Sequence, residues 1–213
     1  MDQPGVREAA PGGTRSPGRP PLTERRKAAT RLEIAHVAVR LFAEQGVTAT
    51  PGEAVARAAG VSPRTLWRYF PSKEECVRPL LAAGLEATAR RLREWPTDRP
   101  LSEAVQADLT STVGRQEDAV ALRRLLRLLP DEPGLRAVWF RVHHDAEPVL
   151  TEVVAARIGA DPGDLLPRIK AVMLNAALRV AAEEWAGSAD EDGAAGAAAF
   201  RQAVAGAMRD LGL

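Results

Sequence analysis

The chain has 213 residues, enough for one large domain or two small ones around a sizeable core. Its single cysteine, Cys76, excludes an intrachain disulfide and with it a disulfide-stapled secreted fold; no apolar signal core opens the chain and no run is long enough to span a bilayer, so a soluble cytoplasmic protein is expected. The formal net charge of +1 hides a division: residues 1–80 carry 13 Lys/Arg against 8 Asp/Glu, and residues 81–213 carry 16 against 20. A basic end on an acidic body fits a nucleic-acid-facing module, with ordinary scatter of surface charge as the alternative.

Residues 1–21 hold five prolines and four glycines and almost no bulky apolar side chain, so they are expected to form a disordered basic arm. Arg19, Arg25, Arg26 and Lys27 concentrate positive charge where this arm meets the first helix. Gly18-Arg19-Pro20 has the form of a short arginine core that enters narrow minor grooves, a solvated tail being the other reading. Thr23 is placed to cap a helix from about Glu24 to Glu44, with Ile34, Val37, Ala38, Leu41 and Phe42 as its core-facing stripe and Gly46 at its end.

Thr50 is read as the cap of a second helix that begins with Pro51, and Val55, Ala56 and Ala59 form its apolar face. Gly60 suits a left-handed helix end, and Ser62-Pro63 is another cap followed by a proline at the first position. A helix, a short glycine turn and a second helix predict a helix-turn-helix, whose second helix can lie in a DNA major groove. That helix carries Arg64, Thr65, Trp67, Arg68 and Tyr69 on its open faces and Leu66 and Phe70 toward the domain. The reading-head domain is therefore set at 22–71.

Ser72 with Glu75 three residues on is a capping box that predicts a connecting helix over 72–95, with Val77, Leu80, Leu81 and Leu85 buried. Lys73 in its first turn suits a phosphate, or is a plain surface lysine. Residues 96–213 predict further helices at roughly 101–115, 118–129, 135–159, 164–186 and 194–211. Leu122, Leu125, Leu126 and Leu129 stripe the second of these. Pro148 inside the third predicts a kink or break. The fold class is thus all-α, with about nine helices: a three-helix head followed by a helical bundle.

In the body, polar groups embedded in apolar stretches are candidate effector contacts: Gln106, Thr110, His143, Asn175 and Arg179, beside Trp139 and Phe140. A buried Asn or His satisfied within the core is the competing reading for each. Cys76, on an apolar-patterned helix, reads as a small hydrophobe rather than a redox sensor. It has no metal-ligand spacing with His36, His143 or His144, and no metal or cofactor is expected. Asp190-Glu191-Asp192 reads as a solvated loop. No glycine-rich phosphate loop, nucleophile elbow or acid–base constellation marks an enzyme.

The run Ala38-(x)2-Leu41-Phe42-Ala43-Glu44-(x)-Gly46, then Thr50, Val55-Ala56, Ala59-Gly60-Val61-Ser62, Thr65-Leu66, Tyr69-Phe70 and Ser72-Lys73, resembles the N-terminal domain of TetR-family transcriptional regulators. The resemblance implies a homodimer reading a near-palindromic operator, with a small-molecule effector site in the middle helices. The C-terminal half looks like the subgroup that senses acyl-CoA-like or other apolar effectors. Carried over by position, Thr50, Ser62, Arg64, Thr65, Trp67, Arg68, Tyr69 and Lys73 would meet DNA. The last two helices would form the dimer interface through Ile169, Val172, Met173, Val180, Phe200, Val204 and Met208. Two departures stand out. Pro51-Gly52 replaces the usual small hydroxyl and branched apolar residues, removing a core contact and loosening the second helix. Trp67 replaces the commoner tyrosine, turning a hydroxyl into an indole donor. The alternative function is a helical interaction protein whose DNA module has degenerated.

Overall fold

The computed structural model describes residues 22–107, 116–188 and 194–213. Among them the regular elements are helical: α1 (Leu22–Gln45), α2 (Gly52–Ala58), α3 (Pro63–Tyr69), a 3-10 turn (Glu74–Val77), α4 (Arg78–Glu94), α5 (Leu101–Ala107), α6 (Gln116–Leu128), α7 (Pro133–Ile158), α8 (Leu165–Gly187) and α9 (Ala194–Asp210). The all-α class is as expected. The expected arm at 1–21, including Arg19, lies outside the described residues, as do Thr110 and the Asp190–Asp192 run.

Two apolar clusters hold the chain together. The first joins Ile34, Ala38 and Phe42 of α1, Val55 and Ala56 of α2 and Leu66 of α3 to Leu80 and Leu81 of α4, Leu125 and Leu126 of α6 and Val138 and Trp139 of α7. The head therefore shares a core with the near end of the body. The second cluster joins Leu92, Leu101, Leu150, Val154, Leu174, Leu178, Val204 and Met208 at the far end. At ~25 cal/mol per Å² of apolar surface removed from water, fully burying one such leucine or phenylalanine contributes about 1.5–3 kcal/mol.

Three helix boundaries correct the sequence reading. Ser72 Oγ accepts from the Glu75 amide at 3.3 Å, one half of the expected capping box, but the Glu75 carboxylate lies 3.1 Å from Arg141, the first turn is 3-10 with Lys73 at its N-cap, and α4 proper begins at Arg78. Pro79 has no amide hydrogen to give the Glu75 carbonyl, so that α-helical rung cannot form. Pro148 does not break α7, which runs unbroken from Pro133 to Ile158. Pro148 and His144, whose carbonyl loses its α-helical partner, are both exposed, which leaves that carbonyl open to solvent. At α2, Pro51 is the N-cap in extended conformation and Gly52 is the first helical residue.

Candidate DNA-reading face and effector region

α3 is set by local chemistry. Ser62 Oγ accepts from the Thr65 amide at 3.1 Å and lies 2.9 Å from Thr65 Oγ1, Pro63 begins the helix, and Gly60 takes φ +67° to turn the chain out of α2. Leu66 is fully buried and Phe70 nearly so, which leaves Arg64, Trp67 and Arg68 exposed on the opposite side. Three and four apart, these side chains share one face. Tyr69 is half-buried, with the guanidinium groups of Arg31 and Arg68 each 5.2 Å from its ring centre and Phe70 packed edge-on at 6.4 Å. Arg25 and Arg26 are exposed on α1, while Lys27 pairs with Glu24 at 2.8 Å.

Two residues assigned to DNA are placed otherwise. Thr50 is fully buried, and its hydroxyl donates to the Gly46 carbonyl at 2.7 Å; it neither caps α2 nor reaches outward. Lys73 turns its amine back into the head, donating to the carbonyls of Val47 at 2.5 Å and Thr50 at 3.2 Å. It ties the α1–α2 turn to the start of the connecting segment. A third correction concerns α2. A Cβ added to Gly52 would overlap Trp67 Cη2 and Cζ2, so the indole fills the space that a branched side chain at 52 would take. The contact expected to be missing at position 52 is made by the partly exposed Trp67 ring.

Among the proposed effector contacts, five meet on the seam of α7 and α8. His143 Nδ1 lies 2.7 Å from Asn175 Oδ1, and Asn175 Nδ2 donates to the His143 carbonyl at 2.9 Å. Trp139 stands edge-on to His143 at 4.1 Å between ring centres and donates its indole N–H to Glu183 at 2.7 Å. Glu183 also accepts from Arg179 at 2.9 Å, and Arg179 lies 5.0 Å from the centre of the Phe140 ring. Asn175 thus satisfies both faces of the histidine main and side chain, leaving His143 Nε2 buried without a partner. Burial holds the His143 pKa below the ordinary imidazole value, against the raising effect of its bond to Asn175. The side chain of Gln106 lies outside the described residues.

A cleft of about 640 Å³ that no sequence pattern marks lies between α1, the end of α3, α4 and α7, lined by Leu32, Tyr69, Glu75, Arg78, Glu86 and Arg141 among others. Glu75 sits in its wall, 7% exposed, 3.1 Å from Arg141 Nη1. Its partner in α7 is 66 positions away in the chain, which no local pattern signals.

The surface assigned to dimerisation divides. Ile169, Val172, Met173 and Val180 are 40–53% exposed on α8, in line with Leu165 and Leu166. Phe200 is half-buried, and Val204 and Met208 are fully buried in the second cluster, so these last two serve the subunit's own core.

A head with a capped recognition helix, carried on an all-helical body, defines a helix-turn-helix DNA-binding protein. The family described as bacterial regulatory proteins, tetR family, matches residues 34–80, and the MftR C-terminal domain matches residues 96–209. The transcriptional regulator TcmR of Streptomyces glaucescens is 33% identical over 202 residues, covering 91% of this chain and 89% of the relative. GusR of Salmonella enterica shares the fold with a TM-score of 0.54 at 20% identity over 85% of this chain and 96% of its own. FadR of Thermus thermophilus does so with a TM-score of 0.51 at 23% identity over 85% and 92%. The chain belongs to the TetR family of transcriptional regulators. It is a DNA-binding regulator and not an enzyme, and no described helix is long and apolar enough to cross a membrane.

Proposed function

We propose that the chain is a homodimeric repressor that binds a near-palindromic operator through α3 and is released by a small apolar or acyl-CoA-like effector. The observation that carries the dimer is α8. Its inner side, Ala171, Leu174, Leu178 and Ala181, is buried, yet Leu165, Leu166, Ile169, Val172, Met173 and Val180 remain exposed on the outer side. A helix apolar all round belongs in an interior, and a second copy supplies the missing half. Two heads on one symmetric body read half-sites about 34–36 Å apart, one helical turn.

The organisation proposed with this reading is a basic arm at 1–21, a head at 22–71, a connecting segment at 72–95 and an effector and dimer body at 96–213. Arg64 and Arg68 are the side chains suited to bidentate recognition of guanine, and Ser62, Thr65 and Tyr69 hold register on the backbone. For the effector, the buried His143 Nε2 offers one free acceptor beside the Trp139 ring. FadR, solved in complex with lauroyl-CoA, shares this fold, which favours an acyl-chain effector class. Light scattering of the chain, alone and with a duplex from upstream of its own reading frame, tests the assembly. Two chains per duplex are expected, and Met173→Glu should give monomers that bind the same duplex at least ten-fold more weakly. A wild-type monomer would overturn the dimer.

A further inference from the structure

Trp67 stands in the middle of the exposed face of α3, between Arg64 and Arg68. Indole offers one donor and no acceptor, so most of what it presents is carbon. Its position depends on a residue in another helix. A Cβ on Gly52 would overlap Trp67 Cη2 and Cζ2 and lie 3.4 Å from Cε2, so the six-membered ring rests against the glycine backbone at the start of α2. Gly52 is not among the glycines with positive φ, so its backbone conformation does not call for glycine. Alanine is also the better helix former. Space for the indole is the reason that remains. Gly52 is buried while Trp67 keeps 42% of its surface, so the ring is held along one edge and remains partly open.

We infer that Gly52 and Trp67 form one base-reading unit, in which the pinned indole makes an apolar contact with the C5-methyl group of an operator thymine. Thymine presents that methyl in the major groove, and no other base carries one there. Trp67 is the contacting residue, and Gly52 is a positioning residue that acts through it. The two departures from the family pattern are then one feature, a glycine that admits a larger ring. The inference rests on α3 being the DNA-reading helix and adds what its central side chain reads.

The wild-type chain is used to select preferred duplexes from a random DNA pool, and each thymine of the selected sequence is replaced in turn by deoxyuridine, which removes only the methyl. At one thymine per half-site the replacement should weaken wild-type binding about four-fold, the worth of one buried carbon group. The same replacement should leave Trp67→Ala indifferent. Gly52→Ala should lose the thymine preference while keeping the wild-type circular dichroism, and should cost nothing further in a Trp67→Ala background. Trp67→Phe, a smaller apolar ring, should retain part of the preference and guards against a misfolded alanine variant. If every thymine replacement affects wild type and Trp67→Ala alike, the unit does not read a methyl and the inference fails while the DNA reader stands. A pool from which no sequence emerges overturns both.

Discussion

His36 Nε2 lies 2.7 Å from Asp118 Oδ1, a contact spanning 82 positions that joins α1 of the reading head to α6 of the body. At the other end of α6, Arg127 Nε donates to the Ala186 carbonyl at 2.7 Å and Arg123 to the Ser188 carbonyl at 3.0 Å. Two guanidinium groups there satisfy and electrostatically complement the C-terminal end of α8. α6 is thus a strap from the head to the helix that carries the exposed apolar stripe. The contacts run from α8 through α6 to α1.

The His36–Asp118 contact is partly exposed, so its net worth is modest. A double-mutant cycle of His36→Ala and Asp118→Ala, read by urea denaturation at fixed pH, should give a coupling of about 0.5–1.5 kcal/mol. Additive single effects would show that the two side chains do not support each other.

Lys73 behaves as an internal tie. Lys73→Met removes two hydrogen bonds from a charged donor to the α1–α2 turn and should destabilise the chain by about 1–3 kcal/mol. The salt dependence of DNA binding should keep its slope, since no phosphate contact is lost. A slope reduced by about 0.9 log units would return Lys73 to the phosphate backbone.

How much of this was legible in the sequence follows from distance along the chain. The α3 start was readable because Ser62, Pro63 and Thr65 settle it among themselves. Lys73 was misread because its acceptors lie 26 and 23 positions earlier, and the first turn of a helix attracts phosphates in general. Gly52 looked like a defect for the same reason: its compensation, Trp67, sits in another helix. Val204 and Met208 were apolar as expected, but periodicity shows that a face is buried and not whether a core or a partner buries it. The meeting of His143 with Asn175 needed the α7–α8 packing, which sequence spacing does not encode.

Burial makes His143 a source of acid sensitivity. Its folded pKa is depressed below the reference value of 6.5, so on falling pH the unfolded chain takes up the proton first. Its neutral form is accommodated at full stability above about pH 6.5, and stability is lost as pH falls from there through the folded pKa. Unfolding midpoints measured from pH 7.5 to 5 should therefore drop, and His143→Gln should flatten the drop. An equal drop in both proteins would place the sensitivity elsewhere.

Cys76 is fully buried, and its thiol is pushed up to about 12, first by burial and then by the neighbouring charges of Glu74 and Glu75. At pH 8 the folded chain should react with a thiol reagent at least a hundred-fold more slowly than the chain in urea, as read by absorbance. Comparable rates would mean an open, reactive cysteine and would revive a redox role.

The central claim is that the exposed face of α3 reads DNA. It is tested most directly by fluorescence anisotropy of a labelled duplex taken from upstream of the chain's own reading frame, titrated with wild type and with Arg68→Ala at one fixed salt concentration. Wild type should saturate well before a scrambled duplex does, and Arg68→Ala should weaken binding about five- to a hundred-fold, the discrimination carried by one arginine–guanine pair. Equal affinity of the two proteins for the operator duplex would contradict this assignment of the reading face.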